Sequence, residues 1–247
     1  MRYGVAHLGD SYDGSPRERV ARRLLWAERS MRSVTDATRR SSYTRGMLVD
    51  IVVFDGVDEL DALGPLEILR RAQQATDDFS VRLVTHSGND SVRGACGLTF
   101  SVDAPFTPGE AEIVIVAGGG WNAHAKQGAW AEYQRGELMP LLVAAASSAS
   151  VIVGVCTGTM LWAHACVITG RRASTHHSAL EELAELGVEV VPERVVDDGD
   201  LITCGGVTSG LDLALWLVAR ELNDVLAQQI AKGIEYKWFR PNRQQLA

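Results

Sequence analysis

One cysteine stands where the chain changes its period. Val151-Ile152-Val153-Gly154-Val155 is a short apolar run of the kind that forms a fully buried strand. Cys156-Thr157-Gly158-Thr159 follows, and Met160-Leu161-Trp162-Ala163-His164 then takes up helical spacing. A strand that stops and turns directly into a helix lifts the residue between them clear of the sheet, the geometry of a nucleophile elbow. The first free N–H groups of the helix then face the sulfur, which favours thiolate, the reactive form. Gly158 suits a tight turn, and Thr157 and Thr159 are both possible caps. A free cysteine is also commonly a small buried apolar residue, so the rest of the chain has to weigh in.

A cysteine nucleophile needs a group that holds or moves protons and donors that stabilise negative charge. Asp61, in the segment Leu60-Asp61-Ala62-Leu63-Gly64-Pro65, is the candidate for the first role: in a partly apolar cleft its carboxyl would stay protonated, donate to sulfur and shuttle a proton. The plain alternative is a carboxylate beside a helix, held by backbone N–H groups. For the second role the candidates are the backbone amides of Gly119, Gly120 and Thr157, although a glycine turn can also serve only to let chains pass closely. His176 and His177 could enter the site from the segment after the elbow helix. His86, His124 and His164 have no ligand spacing, so no metal site is expected. Residues 118–120 lack a following Gly-Lys-Ser/Thr and no Gly-x-Gly-x-x-Gly opens a helix, which argues against phosphate or dinucleotide binding.

These groups need elements to position them. Residues 1–46 hold ten Arg and no Lys against five acids, a net of +5, and the remainder of the −7 chain therefore carries −12. This segment has no secretory apolar core, and its acids argue against an organelle leader. It is expected to be a disordered or loosely packed extension, or non-native sequence upstream of an internal start at Met47, helical spacing over 17–33 notwithstanding, and its scattered arginines carry no nucleic-acid recognition motif. From residue 47 the composition suits one well-buried domain with no apolar run long enough to span a membrane. The four cysteines (96, 156, 166 and 204) form neither a CxxC nor a metal pattern, so a reducing, cytosolic setting is expected.

Strands are expected over 48–54, 79–85, 113–117 and 151–155. Gly64-Pro65 reads as the start of a helix after a loop that carries Asp61. A strand excursion or hairpin is expected within 91–102 and a hairpin turn around Asp198-Gly199, with helical spacing over 129–148, 179–187, 211–222 and 224–236. Continuous apolar strands alternating with helices mean a mostly parallel sheet covered on both faces, with its site beyond the carboxyl ends of the strands. The Asp61 loop, the triple-glycine loop and the elbow converge there.

Leu60-Asp61-Ala62-Leu63-Gly64-Pro65-Leu66-Glu67, Ala117-Gly118-Gly119-Gly120, Val155-Cys156-Thr157-Gly158, Gly170-Arg171-Arg172-Ala173-Ser174-Thr175-His176 and Gly205-Gly206-Val207-Thr208-Ser209-Gly210, in this order, resemble the ThiJ/PfpI superfamily over residues 48–223. Asp-x-x-Gly-Pro together with Cys-Thr-Gly is similar to the isonitrile hydratase branch and to the sensor domains of some AraC-type regulators. The resemblance implies a flavodoxin-like three-layer α/β sandwich over 47–223, followed by a helix and tail over 224–247. It implies a homodimer acting on a small molecule without metal or cofactor. It further implies Cys156 as nucleophile, Asp61 as proton donor and acceptor, Thr157 as a positioning group, and Gly64, Gly119, Gly120 and His176 around the substrate. Thr157 occupies the position at which protease-like relatives place histidine, and glyoxalase-type relatives carry glutamate in place of Asp61. A ligand or redox sensor, or a glyoxalase-like carbonyl enzyme, is the alternative to a hydratase; residues 224–247 are too short and too weakly basic for a DNA-binding pair of helices.

Overall fold

The computed structural model describes residues 46–241. All but Gly46 of the Arg-rich segment 1–46, with the spacing over 17–33, lies outside the described residues. A seven-stranded sheet forms the middle layer, built from β1 (Met47–Val52), β2 (Phe79–Thr85), β5 (Ala104–Pro105), β6 (Ile113–Val116), β7 (Val151–Val155), β10 (Val195–Asp197) and β11 (Leu201–Cys204) in the order β10-β11-β7-β6-β1-β2-β5. All neighbours are parallel except β10 and β11. β6 and β7 are buried throughout, which is why their apolar runs do not alternate. β3 (Ser91–Arg93) and β4 (Thr99–Ser101) form the first expected hairpin, and a parallel pair, β8 (Arg172–Ala173) and β9 (Glu189–Val190), stands apart. Gly199, at positive φ, closes the second hairpin between β10 and β11.

Helices cover both faces. α1 (Glu59–Gln73), α6 (Ser209–Leu217) and α7 (Asp224–Gly233) pack together on one side; α2 (Ala129–Arg135), α3 (Leu138–Ala146) and α4 (Gly158–His164) pack on the other, and α5 (Leu180–Glu185) follows β8. This is the flavodoxin-like three-layer α/β sandwich. The helical spacing over 129–148 is two helices, because Gly136 adopts the left-handed conformation that ends α2.

The start of α1 differs from the sequence expectation. The helix begins at Glu59, capped by Asp58, whose Oδ1 accepts the Leu60 N–H at 3.1 Å. Asp61 therefore lies in the first turn of a helix, not in a loop, and Pro65 sits inside it. Proline has no N–H to give the carbonyl of Asp61, and the lost bond is offset by packing. At the crossing of α1 and α6, a Cβ on Gly210 would lie 3.3 Å from Pro65, and one on Gly64 would lie 3.5 Å from Leu211.

A second anchor bears on the site. Asp212 of α6 is fully buried; its Oδ2 accepts from Arg194 Nε at 2.8 Å and from the Tyr236 hydroxyl at 3.1 Å, and its Oδ1 accepts the Phe239 N–H at 2.8 Å. Arg194 also reaches Thr208, so one buried carboxylate ties residues 236–239 to the 205–208 loop. Removing one partner of a buried charge is costly. Arg194→Met is expected to lower unfolding free energy by about 3 kcal/mol, measured by urea denaturation.

Candidate active site

The chain runs from β1 outward to β2 and β5, then crosses back to lay β6 on the other side of β1. The crevice beyond the carboxyl ends of β1 and β6 is thus a topological switch point. Four segments meet there: 54–61 after β1, 117–120 after β6, the elbow after β7 and 205–208 after β11.

Cys156 has φ of +54°. A side chain is rarely tolerated in that left-handed region, so the strain of the elbow rests on the cysteine itself. Gly158 serves a close approach instead: a Cβ there would lie 2.0 Å from the carbonyl oxygen of Val116. The absent side chain lets α4 start directly against the end of β6. Opposite, a Cβ on Gly118 would lie 2.6 Å from the Thr157 nitrogen. Thr157 does not cap α4 with its side chain; its Oγ1 accepts the Gly119 N–H at 2.9 Å. The Gly119 N–H is consequently committed to Thr157. Thr159 is no cap either, and its buried hydroxyl has no hydrogen-bond partner among the described residues.

Cys156 is 5% exposed and Asp61 is 0% exposed. Burial raises the Asp61 carboxyl to about 8, with the nearby charge of Asp58 adding to the effect. The Cys156 thiol and the N–H groups of Gly118 and Val207 approach this carboxyl and pull the other way. Neither Asp61 oxygen completes a hydrogen bond of good geometry among the described residues, which leaves the carboxyl poised instead of locked.

The thiol is likewise pushed up, first by burial and then by Asp61; the N–H groups of Val207 and Thr157 face the sulfur and oppose this. The sequence expectation of a thiolate is overturned here. Two N–H groups and a seven-residue helix do not outweigh the loss of water around sulfur. Burial thus favours the protonated form of both groups.

The other cysteines lack this setting. Cys96 is exposed; its N–H binds the Glu59 carboxylate at 2.9 Å, and that charge pushes its thiol up. Cys204 is fully buried beneath the site, and Cys166 is half-buried after α4. A surface cleft of about 900 Å³ opens beside Gly120, lined by Arg93, Cys96 and Lys126 but by neither Cys156 nor Asp61. Cys156 and Asp61 are buried and do not open into this cleft.

His176 borders the site at Gly206, where a Cβ would lie 2.3 Å from its ring. Its Nδ1 is 2.6 Å from Ser178 Oγ, which donates to Asn122 at 2.8 Å. Burial first, then His177, lowers the His176 ring below its ordinary value, so it is neutral at pH 7. Among the described residues it makes no hydrogen bond to Cys156 or Asp61. Gly64 lies at the helix crossing described above, and Gly120 lies where the wall meets the cleft. Sequence reasoning missed Val207, whose N–H approaches both Cys156 and Asp61, and Thr175, whose hydroxyl donates to the Cys156 carbonyl at 2.8 Å. The only sequence signal for Val207 was its place in a glycine-rich loop; at φ of +44° it is strained for a β-branched residue.

The sandwich with its buried elbow cysteine defines a class that the family comparison makes specific: the DJ-1/PfpI family model matches residues 47–220, and the chain belongs to that family. The chain is 30% identical to the isonitrile hydratase of Pseudomonas putida over 188 residues, 76% of this chain and 78% of that protein. It is 33% identical over 92 residues to the HTH-type transcriptional regulator CdhR of Pseudomonas aeruginosa, covering 36% of this chain and 27% of the regulator. Among solved structures, a ThiJ/PfpI family protein from Pseudomonas syringae aligns with a TM-score of 0.70 at 22% identity, covering 85% of this chain and 86% of that one. Oxidized Toxoplasma gondii DJ-1 aligns at 0.65 and 19% identity, covering 78% of this chain and all of that one. Among the described residues no helix is long and apolar enough to cross a membrane.

Proposed function

We propose that the protein hydrates isonitriles, R–N≡C, to N-substituted formamides. The observation that carries this is the pairing of two buried groups: the elbow thiol of Cys156 and the carboxyl of Asp61 approach one another, and burial pushes both toward their protonated forms. The terminal carbon of an isonitrile accepts a proton and a nucleophile at the same atom. Asp61 gives its proton to that carbon as Cys156 Sγ bonds to it, and the carboxylate just formed takes the thiol proton; the product is the thioimidate R–N=CH–S–Cys156. Water then adds to the carbon, with one of its protons going to nitrogen. Collapse of R–NH–CH(OH)–S–Cys156 expels the sulfur, which regains a proton through Asp61. The sum is R–NC plus water giving R–NH–CHO, with both residues restored. The similarity to the Pseudomonas putida hydratase supports the same chemistry.

Formamide production from a simple alkyl isonitrile, followed by the loss of the isonitrile infrared stretch, tests this. The protonated Asp61 is present below about pH 8 and lost above it, so kcat/KM is expected to hold on the acid side of 8 and fall about tenfold per unit above it. No turnover by folded, reduced protein across alkyl and aryl isonitriles would count against the assignment. The short similarity to CdhR favours a second reading, a ligand sensor, which would keep a reactive Cys156 without any formamide.

A further inference from the structure

Thr175 is 2% exposed and comes from the segment that follows β8. Its Oγ1 donates to the carbonyl oxygen of Cys156 at 2.8 Å, and the preceding Ser174 N–H is pinned to Thr203 Oγ1 of β11 at 2.8 Å. The backbone donor to that carbonyl, the Thr159 N–H, is longer at 3.3 Å. The Cys156 carbonyl and the Thr157 N–H belong to one planar peptide unit and point in opposite directions across it. Holding the oxygen therefore aims the hydrogen. A flip of this peptide, which changes ψ of Cys156 and leaves its positive φ in place, would turn the Thr157 N–H away from the sulfur. We propose that Thr175 is a positioning residue: by gripping the Cys156 carbonyl it locks the 156–157 peptide so that the Thr157 N–H faces the sulfur as negative charge develops on it. Nothing about Thr175 in the sequence motif distinguishes this role from simple packing.

The inference rests on Cys156 as the nucleophile, and its test reads the thiol directly, so its failure is separate from failure of the hydratase assignment. Iodoacetamide labelling of the Cys156 peptide is followed by mass spectrometry from pH 6 to 11, which keeps exposed Cys96 out of the signal. Thr175→Val keeps the shape and removes the donor. It is expected to slow Cys156 labelling about tenfold at pH 8 and to move the profile up by about one unit, the effect of one hydrogen bond to the charged form. Thr175→Ser restores the donor and is expected to stay within about twofold of the parent. Thr175→Ala carries the same expectation as valine should the latter not fold. A packing role alone lowers the melting temperature and leaves the labelling profile in place. A valine or alanine profile superimposed on the parent, or a serine variant as impaired as valine, overturns the proposal.

Discussion

In Cys156→Ala, formamide production is expected to drop to the uncatalysed rate, and Asp61→Asn is expected to lower kcat by about 10³-fold, since an amide neither gives up nor takes the proton that the thiol addition moves. Both are measured with purified protein at pH 7 by the same infrared assay. The Asp61 substitution has a second expected effect, of opposite sign, on stability. Unfolded, this carboxyl ionises near 3.8; folded, near 8. Below 3.8 it is protonated in both states and its contribution to stability is complete. Between 3.8 and 8 the folded state holds a proton that the unfolded state has released, so stability declines as pH rises, and above 8 the folded protein carries a buried, poorly bonded charge. Asp61→Asn removes that liability. Its melting temperature is expected to exceed the parent's at pH 9 and to converge on it toward pH 4, and an asparagine variant less stable than the parent at pH 9 would show that the carboxyl is better satisfied than its geometry indicates.

The other large effect is structural. Gly158→Ala is expected to destabilise the protein by about 3 kcal/mol or more and to abolish turnover in whatever remains folded. The added carbon would lie 2.0 Å from the Val116 oxygen, 2.7 Å from the Val116 carbonyl carbon and 2.9 Å from the Ala117 oxygen, all backbone atoms at the end of β6. No side chain can swing away, so α4 must retreat, carrying Thr157 and the elbow with it. Gly233→Ala is the control: at the end of α7 a Cβ meets nothing within 4 Å, and a neutral or slightly stabilising change is expected. Urea denaturation of both variants measures the contrast. Comparable losses in the two would remove the close-approach argument.

Much of the architecture was legible before any coordinates. Ile113–Val116 and Val151–Val155 are apolar at every position, which only a strand buried on both faces tolerates, and Asp198-Gly199 names its own turn. Such signals are local: they depend on residues a few positions apart and on backbone preferences that each residue carries with it. The Asp58 cap is equally local, but by residue type Gly64-Pro65 is the stronger start signal. Proline lowers helix propensity without forbidding a helix whose other residues pack.

What the sequence determined by itself was therefore the order of the elements, the elbow at Cys156 and the gathering of Asp61, the glycine loop and the cysteine at one sheet edge. Only the tertiary structure decided how these groups are charged and held. The thiol and the carboxyl are neutral because their neighbours, distant in the chain, exclude water, and the cost of ionising a dry group exceeds what a few N–H donors return. The same distance hid the donors. Val207 faces both reactive groups across a fold that brings β11 beside β7, Thr175 reaches the Cys156 carbonyl from beyond β8, and the Gly119 N–H was diverted to Thr157. Desolvation and long-range hydrogen bonds are properties of the packed chain, and residue order alone does not encode which atoms will share an interior.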